Sequence, residues 1–153
     1  MDNKMIAFLA IAVAVGLAAG AGIGYVVFDE EPVDEKSYWI YLSNTDSDVD
    51  GWYEIVADDP VEAFVDLAAE KELQLNFEWG EYGFSLLSFD GKITQDLGGS
   101  NWVYWSLGVW DSENSSWTYS PTSLNGVTTN IFCYAYGDGT LPTTGYQNEG
   151  PFA

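Results

Sequence analysis

The sequence predicts an α+β protein: an N-terminal transmembrane helix followed by a mainly antiparallel β-sheet domain with one packed helix. Three observations predict it. Residues 5–28 form an uncharged apolar run, one helical stripe opens at Asp59, and the remaining apolar stretches alternate with polar residues between Gly-, Ser- and Asp-rich turns.

The apolar run is 24 residues long. At 1.5 Å per residue a helix of that length reaches roughly 36 Å, enough to cross a hydrocarbon core with some tilt. Lys4 precedes it, and Asp29, Glu30, Glu31, Asp34 and Glu35 come after it, so a retained signal-anchor with the C-terminal domain outside the cytoplasm is expected. Ala19 and Ala21 offer the rival reading of a cleaved signal peptide, and either reading exports the domain. Gly16, Gly20 and Gly24 recur at every fourth residue, a smooth helix face suited to homodimer packing within the membrane.

Charge narrows the partners. There are 24 acidic residues and 4 lysines, a net charge of −20, and nearly all of it lies after residue 28. Such a field repels phosphate backbones, so no nucleic-acid partner is expected. Hydrophobic residues at 47% and aromatics at 16% are enough for a packed core despite the charge. Histidine is absent and Cys133 is the single cysteine, which removes imidazole catalysis, paired-thiol zinc sites and an internal disulfide. No enzyme is expected.

The expected organisation is an anchor over residues 1–28, an acidic stalk over 29–37, an extracytoplasmic α+β domain over 38–136 and a polar, flexible tail over 137–153. Within the domain, Tyr38, Ile40 and Leu42 alternate with Trp39, Tyr41 and Ser43, which reads as a first strand, and residues 52–57 read as a second. Asp59 is placed to cap a helix, Pro60 suits its first position, and Val61, Phe64, Val65 and Ala68 form its apolar stripe. Alternation over 73–79, and apolar stretches at 82–89, 101–110 and 130–136, complete the strand set.

Several of these segments resemble the transcobalamin C-terminal-like domain, a small β-rich exported module of bacteria and archaea. The resemblance lies in the helix Pro60-Val61-Glu62-Ala63-Phe64, the glycine-led strand from Gly83 to Gly91, the aromatic strand Trp102-Val103-Tyr104-Trp105 and the closing strand from Ile131 to Tyr136. The chain departs from that pattern at Leu107-Gly108, where the family turns at Asn-Gly, and at Thr129-Asn130, where it has Gly-Asp. The helical barrel that completes a cobalamin carrier's site has no counterpart. What the resemblance implies is a corrinoid or other small ligand, captured for an uptake system.

Four candidate sites emerge. In residues 101–110, Trp102, Tyr104 and Trp110 share one strand face and Trp105 lies on the other; these four rings are the candidate ligand-binding residues, as a stacking platform or as core. Asp46, Asp48 and Asp50, with Gly51 next in the chain, have the alternating spacing of a calcium loop, with Glu54 as a further ligand. Ala57 occupies the position where an EF-hand needs glutamate, so the alternative is an acidic hairpin turn. Asn114-Ser115-Ser116 is a glycosylation sequon. Cys133, beside Ile131 and Ala135, reads as a small buried hydrophobe. The expected function is a membrane-anchored, non-catalytic binding module that meets a protein or small-molecule partner outside the cell through its aromatic sheet face. The alternatives are the corrinoid-capture protein and a calcium-stabilised surface protein.

Overall fold

A computed structural model describes residues 35–43, 48–143 and 149–153. Nine strands and one α-helix are assigned among them. The strands are β1 (Lys36–Ser43), β2 (Gly51–Ala57), β3 (Leu75–Gly80), β4 (Gly83–Phe89), β5 (Lys92–Ile93), β6 (Gln95–Gly98), β7 (Asn101–Asp111), β8 (Ser116–Tyr119) and β9 (Ile131–Gly137), and the helix is α1 (Pro60–Glu70). These elements correct the expected fold class. The described residues are mostly β-sheet with a single α-helix, and none of their helices is long and apolar enough to cross a membrane. The reason is visible in α1: its 11 residues span roughly 16 Å, and it carries Glu62, Asp66 and Glu70. The expected span over residues 5–28, with Gly16, Gly20 and Gly24, lies outside the described residues.

The larger sheet runs β2-β1-β9-β7-β6, with β8 beside β6 as a second partner of β7; the smaller runs β3-β4-β5. Sheet pairing is antiparallel with one exception. β1 and β9 run parallel, with Ile40 opposite Phe132 and Leu42 opposite Tyr134. An expectation of antiparallel pairing does not foresee a first strand joined side by side to the last.

One face of the large sheet carries the main core. Tyr38, Ile40 and Leu42 of β1, Phe132 and Tyr134 of β9, and Trp105, Leu107 and Val109 of β7 meet α1 and the small sheet there. Asp59 caps α1, its Oδ1 accepting from the Val61 and Glu62 amides at 2.8 and 2.9 Å, while Glu62 Oε2 accepts from the Asp58 amide at 2.9 Å. The buried stripe is Pro60, Ala63, Phe64, Leu67 and Ala68. It is rotated from the expected one, with Val61 and Val65 at its margins, because Leu67 and Ala63 complete the set of side chains beneath the sheet. Phe64 is the centre of this layer, its ring 5.0 Å from Phe89 and 4.6 Å from Tyr134.

The opposite face of the large sheet holds a second apolar cluster. Cys133 and Trp117 are buried in it, with Tyr41, Trp52, Trp110, Ile131 and Leu141 against them. Residues 137–153, expected as a flexible tail, contribute to this layer where they are described: Gly137 closes β9, and Leu141 and Phe152 pack onto the rings. Apolar side chains among polar neighbours hide this role in the sequence.

Phe64→Ala is expected to lower unfolding free energy by about 3–5 kcal/mol, the range for removing a buried aromatic ring. Asp59→Ala, which removes only the cap, is expected to cost about 1 kcal/mol. Urea denaturation tracked by circular dichroism measures both, and equal losses would contradict the placement of Phe64 at the centre of the core.

Candidate functional site

The longest strand, β7, has β9 on one side and both β6 and β8 on the other. Its side chains alternate between faces. Val103, Trp105, Leu107 and Val109 therefore point toward the main core, and Trp102, Tyr104, Ser106, Gly108 and Trp110 toward the opposite face, as the sequence pattern implies.

The four expected ligand-binding rings separate into three environments. Trp105 is partly buried against the main core, 5.6 Å from Phe89 and 5.1 Å from Tyr136, with its indole N–H donating to the Lys92 carbonyl at 3.1 Å. Trp110 lies in the second apolar cluster, 5.3 Å from Trp117 and 4.5 Å from Phe152. Trp102 and Tyr104 remain 49% and 38% exposed. A four-ring platform does not form, because alternation turns Trp105 inward and the C-terminal segment covers Trp110.

A residue that the sequence pattern did not single out joins the exposed pair. Tyr119 of β8 stands opposite Gly108 of β7, hence on the same face as Trp102 and Tyr104, and is 61% exposed. Both tyrosines converge on Gly139. The Tyr119 hydroxyl donates to the Gly139 carbonyl, and the Tyr104 hydroxyl lies 2.2 Å from where a Cβ on residue 139 would stand. With φ at +99°, any side chain there is strained, and a Cβ would also displace the Tyr104 hydroxyl. The signal available in the sequence was the alternation of Trp117 and Tyr119, short enough to be read as part of a serine-rich turn.

Beside Tyr119 an open cleft of about 470 Å³ is lined by Ser116, Trp117, Thr140, Leu141, Pro142 and Thr143. Its rim is rich in hydroxyls. Next to it, Asp138 Oδ1 accepts from the Thr140 amide at 3.1 Å and from its hydroxyl at 2.8 Å. These bonds, the hydroxyl's first, hold the Asp138 carboxyl below its ordinary range. A second open cleft, about 550 Å³, lies between Tyr82 and the loop Ser120, Pro121, Thr122 and Ser123, which follows Tyr119 in the chain.

The expected calcium ligands are described only in part. Asp46 lies outside the described residues. Asp48 and Asp50 are exposed in the β1–β2 connection, where the Val49 carbonyl between them accepts from the Tyr53 hydroxyl at 2.8 Å. Glu54 sits in mid-strand and accepts from the Ser37 hydroxyl. Glu54 is four positions beyond Asp50 and three residues into β2. Among the described residues no three carboxylate or thiol groups gather as a metal site.

Asn114 is exposed in the β7–β8 turn, and its side-chain amide donates to Asp111 Oδ2 at 2.6 Å. That bond, with the backbone amides of Asn114 and Glu113, holds the Asp111 carboxyl below its ordinary range. Cys133 is fully buried, and burial raises its thiol far above the usual value, so it stays protonated and unreactive. No family model, curated protein or solved structure matches this chain.

Trp102→Ala and Tyr104→Ala are expected to change unfolding free energy by less than about 1 kcal/mol, whereas Trp105→Ala is expected to cost about 3 kcal/mol. Comparable losses at all three positions would show that the exposed rings are structural. Depressed carboxyl values at Asp111 and Asp138 stabilise their turns above the unfolded value, and this support is lost as pH falls through the lower folded values. In an NMR titration the amides of Asn114 and Thr140 should shift below about pH 4, with midpoints lower than those of free aspartate.

Proposed function

We propose that this chain is an exported, non-catalytic binding module that takes neutral saccharides on the face formed by Trp102, Tyr104 and Tyr119. One observation carries the reading: three aromatic rings stay exposed on one sheet face beside an open, mainly apolar cleft whose lining includes Ser116, Thr140 and Thr143, while Trp117 is buried and Trp105 and Trp110 are partly buried against the two clusters. A sugar ring offers an apolar C–H face for stacking and hydroxyls for hydrogen bonding, and this surface supplies aromatic faces with Ser116, Thr140, Thr143 and Asp138 alongside. An anionic ligand is disfavoured by a net charge of −20 and only 4 lysines. The open form of the cleft favours a chain passing over the surface rather than an enclosed cofactor.

The export half of the proposal rests on the hydropathy of residues 5–28 and on the acidic character of the chain beyond residue 28. Its non-catalytic half rests on composition, with no histidine and a single buried cysteine to serve as base or nucleophile.

Affinity electrophoresis through gels containing neutral polysaccharides (a soluble cellulose, a starch and a galactomannan) tests the reading, with polygalacturonate as the anionic control. At least one neutral gel should retard the protein and the control should not. Trp102→Ala combined with Tyr119→Ala should weaken retardation about tenfold or more, as loss of two stacking rings implies. Absence of retardation by all three neutral polymers would end the saccharide reading, and protection of the domain from protease added outside intact cells would end the export half.

A further inference from the structure

Another ring stands open where β3 turns into β4. Tyr82 is 86% exposed, yet its backbone is held by the loop that follows β8. The Ser123 hydroxyl donates to the Tyr82 carbonyl at 2.6 Å, and the Phe84 amide donates to Asn125 Oδ1 at 2.9 Å. Between these bonds Gly83 has φ of +97°, and a Cβ there would stand 2.2 Å from Asn125 Oδ1, so a side chain would strain the joint. The loop is tied within itself by the Ser120 hydroxyl, which donates to the Thr122 carbonyl at 2.8 Å. Tyr82 and this loop line the open cleft of about 550 Å³, and none of the lining residues carries a charge. In a chain with 24 acidic residues, that leaves a neutral surface of one ring, the hydroxyls of Ser120, Thr122 and Ser123, and the Asn125 amide. Such a set suits a neutral ligand with an apolar face and many hydroxyls.

The two clefts meet at consecutive residues, for Tyr119 lines the first and Ser120 the second. Ser123 lies four positions beyond Tyr119, so their Cα atoms are within roughly 14 Å even for a fully extended chain. Ser123 in turn bonds directly to the Tyr82 backbone. We infer that the Tyr82 cleft is a second subsite for neutral saccharide, and that the ligand is therefore a polymer engaging both clefts rather than a single sugar. This inference rests on the saccharide reading of the Trp102, Tyr104 and Tyr119 face and adds to it a requirement for chain length. A short sugar occupies one cleft at a time. A longer chain held at Tyr119 brings its further units toward Tyr82, and the second contact then forms at the raised effective concentration that linkage provides.

Competition in the affinity gel provides the test, with the full-length chain in detergent and with a disaccharide and a hexasaccharide cut from the polymer that retards it. The hexasaccharide should release the unmodified chain at a concentration about tenfold lower, or lower still. Tyr82→Ala should remove most of that advantage and leave competition by the disaccharide unchanged. Tyr82→Phe keeps the ring and should restore the advantage, and circular dichroism confirms that both variants are folded. If Tyr82→Ala leaves the hexasaccharide advantage intact, the second cleft is not a subsite and the inference falls while the saccharide reading stands. Equal weakening of both sugars overturns it too, since a further subsite is felt only by the longer chain. If no neutral gel retards the unmodified chain, the saccharide reading itself fails and takes this inference with it.

Discussion

The burial of β9 on both faces is the constraint on which the other elements depend. Phe132, Cys133, Tyr134 and Ala135 are four consecutive residues, and all are buried. A strand achieves this only when each face of its sheet is covered, so the sheet needs two layers on top of it rather than one. Beneath Phe132 and Tyr134 the cover is α1 with the small sheet. Over Cys133 it is Trp117, Leu141 and the neighbouring rings. The only buried polar residues among those described are Ser88 and Ser106, so every described carboxylate lies at the surface. The large negative charge is therefore carried outside a dry interior, and it shapes encounters with other molecules without entering the energetics of the core.

This arrangement explains the high aromatic content. Rings serve three different ends here. Phe64, Phe89, Trp105 and Tyr134 fill the main core through edge-on and tilted contacts. Trp52, Trp110 and Trp117 build the second layer, where, among the described residues, large flat side chains supply most of the cover themselves. Trp102, Tyr104 and Tyr119 lie beyond that layer and stay partly in solvent. The Gly139 carbonyl holds the Tyr119 hydroxyl, and the Tyr104 hydroxyl lies close to the same residue.

Much of the domain was legible from local chemistry. The cap at Asp59, the alternation from Tyr38 to Leu42 and the two faces of β7 come from patterns whose period is set by backbone geometry. What was hidden depends on partners distant in the chain. β5, β6 and β8 are two to four residues long, shorter than any periodicity can register, and exist because β4 and β7 offer open edges. The parallel joining of β1 to β9 cannot be inferred from either strand alone. For the site, alternation separated Trp105 from Trp102 correctly, but exposure is set by what covers each face. Leu141 and Phe152, in a stretch that reads as polar, decide that Trp110 is covered. The aspartate spacing before β2 reads as a cation loop, and that spacing alone does not show that Glu54 lies within a strand.

The neighbours Trp39 and Ile131 are separated by more than half the chain, yet they stand opposite each other in the parallel ladder. Contacts of such long range are slow to form, since a large loop must close before any pairing is gained. Until the final strand has left the ribosome, β1 and β7 lack the neighbour that joins them, and neither layer has a sheet to rest on. The large sheet is therefore completed only once β9 has been made. Local pairs such as β1–β2 and β3–β4 close short loops, whereas the strand that is buried on both faces joins the sheet last.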